Sequence, residues 1–276
     1  MTDDRKVRIP RILLLGCGRM GGSLLSRWLS KDLISVSDML VVEPDSSALK
    51  NIEKSRRPRQ VKSIADIEAL KEPVCVVLAV KPQQFEEVIA FLAGLPYGSV
   101  LLSVAAGIRI SRFRQAVSPF VGIVRAMPNL PAAIGAGVTA LFADERTTRL
   151  QKSVCDEIMQ TTGKTLWVRD ENDLDAVTAL SGSGPAYVFL LIEILAKIGA
   201  ELGLEADVAA RLASATVHVA GRLADESDKS AGELRADVTS PGGTAQAALE
   251  ILMGAGGIEL SFRSALHAAR DRARQL

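Results

Sequence analysis

The chain has 276 residues, 48% of them hydrophobic and 24% charged, which is enough for one large or two modest domains and excludes a disordered or fibrous protein. Thirty-three Lys plus Arg against 32 Asp plus Glu leave a formal net charge of +1, so no global field draws in nucleic acid or acidic lipid. With 4% aromatic residues there are few stacking platforms, and nucleic acid is not an expected partner.

Short apolar runs over 12–15, 39–42, 74–80, 100–104 and 121–124 read as buried parallel strands. Between them Leu24, Leu25, Trp28 and Leu29, and later Phe85, Val88, Ile89 and Leu92, repeat at helical spacing and supply crossover helices. A doubly wound α/β sheet follows. Apolar segments over 137–142 and 165–168, flanking a helix over about 145–160, extend the same sheet. From Asn172 the chain turns Ala- and Leu-rich with helical period and the cap signals Asp173 and Asp207, which predicts an all-α domain. The expected division is 1–168 and 169–276, with its boundary near Arg169. No long linker, internal repeat or low-complexity tract interrupts it.

The best candidate for a membrane span, over 187–204, is interrupted by Glu193, Lys197 and Glu201 and falls short of ~20 apolar residues. The run over 12–15 is too short for a secretory core and leads into glycines and Arg19, so a cytoplasmic protein is expected. Cys17, Cys75 and Cys155 are odd in number and far apart, which predicts buried free thiols and neither a disulfide framework nor a zinc site. His218 and His267 sit in Ala-rich helical sequence, so no metal site and no catalytic histidine is expected.

The first strand leads into Gly16-Cys17-Gly18-Arg19-Met20-Gly21, and a helix pattern starts directly after it. In that context Gly16 serves a tight turn, Gly18 a close approach of pyrophosphate, and Gly21 close helix-to-strand packing, with N–H groups at the helix start attracting phosphate. Glu43 closes the second strand about 20 residues on, where an acid commonly receives the adenosine ribose hydroxyls. This leans toward NADH over NADPH. Arg56, Arg57 and Arg59 are expected in a solvated loop, but would offset the lean if that loop folds back.

Four segments in order carry a resemblance: Ala79-Val80-Lys81-Pro82-Gln83, Arg125-Ala126-Met127-Pro128-Asn129, Leu180-Ser181-Gly182-Ser183-Gly184-Pro185-Ala186-Tyr187, and Val238-Thr239-Ser240-Pro241-Gly242-Gly243-Thr244. Together with the glycine motif they resemble the pyrroline-5-carboxylate reductase family over nearly the whole chain. The resemblance implies a Rossmann domain followed by a helical dimerisation domain, and NAD(P)H-dependent reduction of Δ1-pyrroline-5-carboxylate to proline. It implies that Ala79, Val80, Lys81, Pro82, Ala106, Met127, Pro128 and Asn129 border the cofactor. It implies that the small residues of 240–244 receive the substrate carboxylate, with Val238, Thr239, Ser240, Gly242, Gly243, Thr244 and Ala245 at the substrate.

Several of these segments also carry a plainer reading. Ser240 or Thr244 can serve as an ordinary helix cap. Pro185 and the glycines around Ser183 predict a helix kink, where small residues suit close packing as well as ligand contact. Tyr187 reads as packing. Two departures stand out: Leu130 and Ala245 occupy positions where the family commonly has Thr, and Ala245 removes a hydroxyl that relatives place beside the ring nitrogen. Thr244 is the remaining candidate for that imine contact. No strong general acid is visible; an iminium that arrives protonated needs orientation more than acid catalysis. The alternatives are a reductase for another small imino or keto acid and an NAD(P)-binding regulator without catalysis. A homo-dimer or larger homo-oligomer through the apolar helices is expected.

Overall fold

A computed structural model of the chain describes residues 9–80 and 84–275. Its first part is built on one sheet of eight strands: β1 Arg11–Leu15, β2 Met39–Val42, β3 Arg59–Val61, β4 Val74–Leu78, β5 Val100–Ser103, β6 Gly122–Met127, β7 Gly137–Ala143 and β8 Gly163–Trp167. Their order is β3-β2-β1-β4-β5-β6-β7-β8. Pairing is parallel throughout except between β6 and β7, where the chain turns back. The predicted doubly wound sheet is present, together with both of its expected extensions.

Period-two alternation explains why the sheet is covered on both faces. Ile12 and Leu14 of β1 join one core with Leu24, Leu25 and Trp28 of α1 (Arg19–Ser30) and Ile158 and Met159 of α4 (Arg149–Gln160). Leu13 and Leu15 join another with Phe85, Val88 and Leu92 of α2 (Phe85–Ala93) and Ile110 and Phe113 of α3 (Ile110–Arg114). A strand apolar at every position fits only such a two-sided sheet. Cys75 and Cys155 are buried free thiols and Cys17 is a half-buried one.

The sequence pattern places Arg56, Arg57 and Arg59 in a solvated loop, whereas Arg59 opens strand β3. The three-residue strand is an edge, and edges are commonly short and charged, so it carries no apolar alternation to read. The arginines are engaged locally. Arg56 pairs with Asp32 and donates to the Leu29 carbonyl, Arg57 donates to the Ile52 and Lys50 carbonyls, and Arg59 lies 3.4 Å from Glu68.

Two compact units are present: one runs to Gly182 and takes back the segment from Arg270, and the other is Ser183–Ala269. The sequence boundary at 168/169 marks the end of the last strand, but α5 (Asp173–Val177) still buries Leu174 and Asp175 with the sheet-bearing unit. A π-helical turn over Thr178–Gly182 follows α5. The expected interruption near Pro185 is taken up by this turn and Ser183, and Pro185 itself stands in the first turn of α6 (Gly184–Glu201), where its missing N–H costs little.

The second unit contains α6, α7 (Ala206–Glu226), α8 (Ala231–Asp237), α9 (Thr244–Leu252) and the larger part of α10 (Ile258–Ala273). α6 and α7 pack closely at Gly199, where an added Cβ would stand 3.1 Å from the Ala209 Cβ. The sequence reading of no membrane-length segment is corrected here. By length and composition alone, the continuous helical stretch Asp173–Glu201 is long and apolar enough to cross a bilayer, because Glu193, Lys197 and Glu201 are too widely spaced to break its apolar window.

Trp28 ties α1 to α4: it is fully buried, and its indole N–H donates to the Ile158 carbonyl at 3.2 Å. Trp28→Ala is expected to destabilise the sheet-bearing unit by about 3–5 kcal/mol through cavity formation, read as a lower denaturant midpoint. A midpoint equal to that of the unaltered chain would contradict this packing.

Candidate functional site

β1 and β4 are the neighbours at which the strand order reverses, and in open α/β sheets ligands bind at the carboxyl ends of such a pair. The glycine motif stands there. Gly16 has φ +89, and a Cβ on it would lie 2.9 Å from the Ala79 carbonyl oxygen and 3.0 Å from a Val80 methyl. A Cβ on Gly21 would collide with the Gly16 carbonyl. By contrast, nothing lies within 4 Å of a Cβ built on Gly18, the residue that starts α1. Two glycines are thus required by packing, and the third faces open space at the start of the helix. Arg19 and Met20 form the first turn of α1. Ala79 and Val80 flank the loop from β4; Lys81 and Pro82 lie outside the described residues.

Glu43 reaches this loop from the end of β2. Its Oε2 accepts from the Cys17 N–H at 2.8 Å and its Oε1 from the Asp45 N–H at 3.1 Å, while Gln60 holds the Glu43 carbonyl at 2.8 Å. The three loop arginines are all committed elsewhere. Burial, and secondarily the Glu43 carboxylate, push the Cys17 thiol up to about 11.

A second group gathers at the carboxyl ends of β5 and β6. Ala105, Ala106, Gly107, Arg125 and Met127 line a narrow crevice with Leu174, Asp175, Thr178 and Ala273. Met127 lies against the π-turn, where a Cβ on Gly182 would come within 2.6 Å of the Met127 Cε. Asn129 is buried and committed: its amide nitrogen donates to the Ser181 carbonyl at 3.2 Å and its amide oxygen accepts from the Val138 N–H at 2.9 Å. The motif 127–129 and the motif 180–182 are therefore joined directly. Pro128 is buried between them in sequence, and Leu130 is exposed on the 3-10 turn Leu130–Ile134.

Sequence reasoning missed the polar partners of this crevice. Glu171 Oε1 accepts from the Ile110 N–H and from Arg125 Nη1, both at 2.7 Å. Arg109 donates to Asn172 Oδ1 at 2.8 Å and to Asp175 Oδ2 at 3.3 Å, and Arg274 lies 3.6 Å from the same Asp175 oxygen. The only signal was the acidic run 170–175, which reads equally well as a helix start.

In the second unit, Ser240–Gly243 forms a turn closed by a 2.9 Å bond from the Gly243 N–H to the Ser240 carbonyl, with Gly242 at φ +71. It leads into α9, whose cap residue is Gly243. Neither Ser240 nor Thr244 caps this helix with its side chain. Gln246 Oε1 accepts from the Gly242 N–H at 2.7 Å instead. Val238, Ser240 and Thr244 are exposed, whereas Thr239, Gly243 and Ala245 are half-buried and Thr239 donates back to the Arg235 carbonyl. Ser183 is half-buried, and Tyr187 meets the Phe262 ring edge-on at 6.3 Å between centroids, a packing contact as expected.

Residues 171–276 match the family described as pyrroline-5-carboxylate reductase dimerisation, and residues 11–107 match that described as NADP oxidoreductase coenzyme F420-dependent. The pyrroline-5-carboxylate reductase of Pseudomonas aeruginosa is 35% identical over 97% of both chains, and that of Mycobacterium tuberculosis is 38% identical over 97% of both. The chain belongs to the pyrroline-5-carboxylate reductase family. The solved pyrroline-5-carboxylate reductase of Coxiella burnetii shares its fold with a TM-score of 0.88 at 33% identity, covering 97% of this chain and 98% of that one. The Plasmodium falciparum pyrroline carboxylate reductase, solved with NADP bound, has a TM-score of 0.80 at 24% identity and covers 98% of each chain. As a member of the family the chain is a nicotinamide-dependent oxidoreductase with a helical homo-oligomerisation domain.

The raised Cys17 thiol gives a direct check on the loop. Only the thiolate is alkylated readily, so iodoacetamide should modify Cys17 slowly at neutral pH, with a rate that rises toward a midpoint near 11. Glu43→Gln should lower that midpoint only in part, since burial is the larger cause. Reaction at the rate of an open thiol would contradict the packed loop.

Proposed function

We propose that this chain reduces Δ1-pyrroline-5-carboxylate to proline, taking its cofactor at the Gly16–Gly21 loop and the substrate carboxylate at the turn 240–244. Similarity to pyrroline-5-carboxylate reductases over 97% of the chain carries the reading. The loop fits the cofactor, since Gly18 leaves open the space that a pyrophosphate needs and the start of α1 presents N–H groups to it. Gly16, Cys17, Arg19, Met20 and Gly21 complete the cradle. Ala79, Val80, Ala106, Met127 and Pro128 border the nicotinamide end, while Lys81 and Pro82, outside the described residues, are assigned to the cofactor by the family resemblance alone. Asn129 acts through its bonds to Ser181 and Val138, holding that border in place.

When bound, the reduced nicotinamide supplies a hydride to the imine carbon. The chain's own part is orientation and charge. Within the turn the Gly242 and Gly243 N–H groups are taken by Gln246 and by the Ser240 carbonyl, so the carboxylate is received beside Ser240 by the N–H groups of the first turn of α9, whose partial positive charge favours it. Val238, Thr239 and Ala245 line that turn, and Ser183 contributes from the start of α6. Thr244 carries the hydroxyl offered to the ring nitrogen, in place of the one that Ala245 lacks. A substrate that enters as the iminium is already electrophilic, so no dedicated acid is required.

Glu43 directs the preference toward NADH. Its carboxylate faces the loop while Arg56, Arg57 and Arg59 are engaged elsewhere, and would repel a 2′-phosphate while accepting ribose hydroxyls. The apolar surface of Asp173–Glu201 is covered by a second copy of the chain and not by lipid, in a homo-dimer or larger homo-oligomer formed in the cytoplasm.

The deciding assay follows loss of reduced-nicotinamide absorbance with Δ1-pyrroline-5-carboxylate, using NADH and NADPH in parallel and detecting proline directly. Turnover to proline is expected. Cofactor binding without turnover would overturn the reading and make Ala245 the mark of another imino acid. Glu43→Ser should raise the NADPH-to-NADH ratio of kcat/KM by about tenfold, the order expected for removing one nearby like charge. An unchanged ratio would remove Glu43 from cofactor choice.

A further inference from the structure

We propose that Glu171, Asp175 and the C-terminal Arg274 form a clamp that positions the nicotinamide end of the cofactor site; this rests on the placement of that end beside Ala106 and Met127 given above. The turn Ala105–Gly107 has a positive φ of 80 at Gly107 and is held at its start by β5, where Ser103 Oγ accepts from the Ala105 N–H at 3.3 Å. Its far end is held by acids before and within α5. Glu171 takes the Ile110 N–H, and Asn172 and Asp175 take the Arg109 guanidinium.

One carboxylate oxygen sets both walls of the crevice. Glu171 Oε1 also accepts from Arg125 on β6, two residues before Met127. Arg125 is 8% exposed and Glu171 18%, so both charges are largely sheltered from water and losing either partner leaves the other poorly compensated. The turn 105–110 and the end of β6 therefore share one anchor and cannot shift independently.

Arg274 brings the end of the chain into this device. Its Nε approaches the Asp175 oxygen that Arg109 uses, and Asp175 is only 10% exposed, so two guanidinium groups converge on one sheltered carboxylate. Ala273, beside it, lines the same crevice as Ala106, Met127 and Thr178. The segment from Arg270, which returns to the sheet-bearing unit after the helical one, closes the wall next to the nicotinamide position.

A second sheltered ion pair supplies the control. Arg114 pairs with Asp144 at the opposite end of β6, and donates to the Ser118 and Val121 carbonyls there. If the clamp serves stability alone, losing either pair should have the same consequences.

The test uses full-length Glu171→Gln and Arg274→Ala, with Asp144→Asn as control. Measured are kcat with Δ1-pyrroline-5-carboxylate, the emission of bound NADH, and the affinity for ADP-ribose, which lacks nicotinamide. Both clamp variants should lose about tenfold in kcat and alter NADH emission, since misplacing a reacting group by a fraction of an ångström is enough for such a loss. ADP-ribose affinity should stay within about twofold of the unaltered protein. Asp144→Asn should lower the unfolding midpoint and leave kcat and emission unchanged.

Unchanged kcat and emission in both clamp variants would overturn the proposal. So would ADP-ribose affinity falling in step with kcat, or an equal loss of kcat in Asp144→Asn. Arg274 is half exposed, so its variant reports even if Glu171→Gln fails to fold. If the unaltered protein leaves Δ1-pyrroline-5-carboxylate untouched, the functional reading fails, while NADH emission against ADP-ribose affinity still decides the clamp.

Discussion

Backbone lying directly on backbone at the head of β1 is the constraint from which the rest of the site follows. Gly16 abuts the Ala79 carbonyl from β4, and Gly21 abuts Gly16, so the start of α1 is pressed against the two central strands with no side chain between. The first N–H groups of the helix are then held at the carboxyl edge of the sheet, aimed into the space over Gly18. Glu43 completes the arrangement by accepting the Cys17 N–H, which fixes the loop before any ligand arrives. A loop already ordered loses less freedom on binding. The same carboxylate that orders the loop also sets the local charge there, so one side chain carries both loop order and loop electrostatics.

Much of this was legible in the sequence because it depends on local pattern. Continuous apolar runs gave the central strands, since a strand buried on both faces has no polar positions to confuse the reading. The glycine spacing gave the loop, since only glycine meets its close approaches. β3 was illegible for the opposite reason: three residues at an edge, two of them Arg59 and Gln60, follow no core pattern. The roles of Asn129 and Glu171 were hidden by distance in the chain. Asn129 stands in a motif that the family resemblance assigns to the cofactor, yet its side chain is spent on Ser181 and Val138, and Glu171 reads as a helix-start acid although its partners are 61 and 46 residues away. Gln246, which holds the Gly242 N–H, sits among alanines with nothing to mark it.

The helical unit presents a different balance. α6 runs for 18 residues, nearly all apolar, and buries none of them fully within the single chain; α8 and α9 bury none either. Helices apolar over most of their circumference are stable in water only when covered. The stretch Asp173–Glu201 has the length and apolarity of a membrane span for the same reason that a subunit interface would use it. The family match over 171–276, described as dimerisation, supports the subunit interface.

Assembly is therefore part of folding for this unit and not an addition to it. Where the isolated chain has too little buried apolar surface in α6, α8 and α9 to offset the entropy of ordering them, association supplies the missing burial, and stability becomes a function of protomer concentration. The turn 240–244 is carried between α8 and α9, two helices without a buried residue of their own, so its N–H groups hold their geometry only as firmly as the assembly holds those helices. The sheet-bearing unit, with two full cores and an internally braced loop, has no such dependence. It follows that the Gly16–Gly21 loop keeps its geometry within its own unit, whereas the turn 240–244 draws its firmness from the assembly.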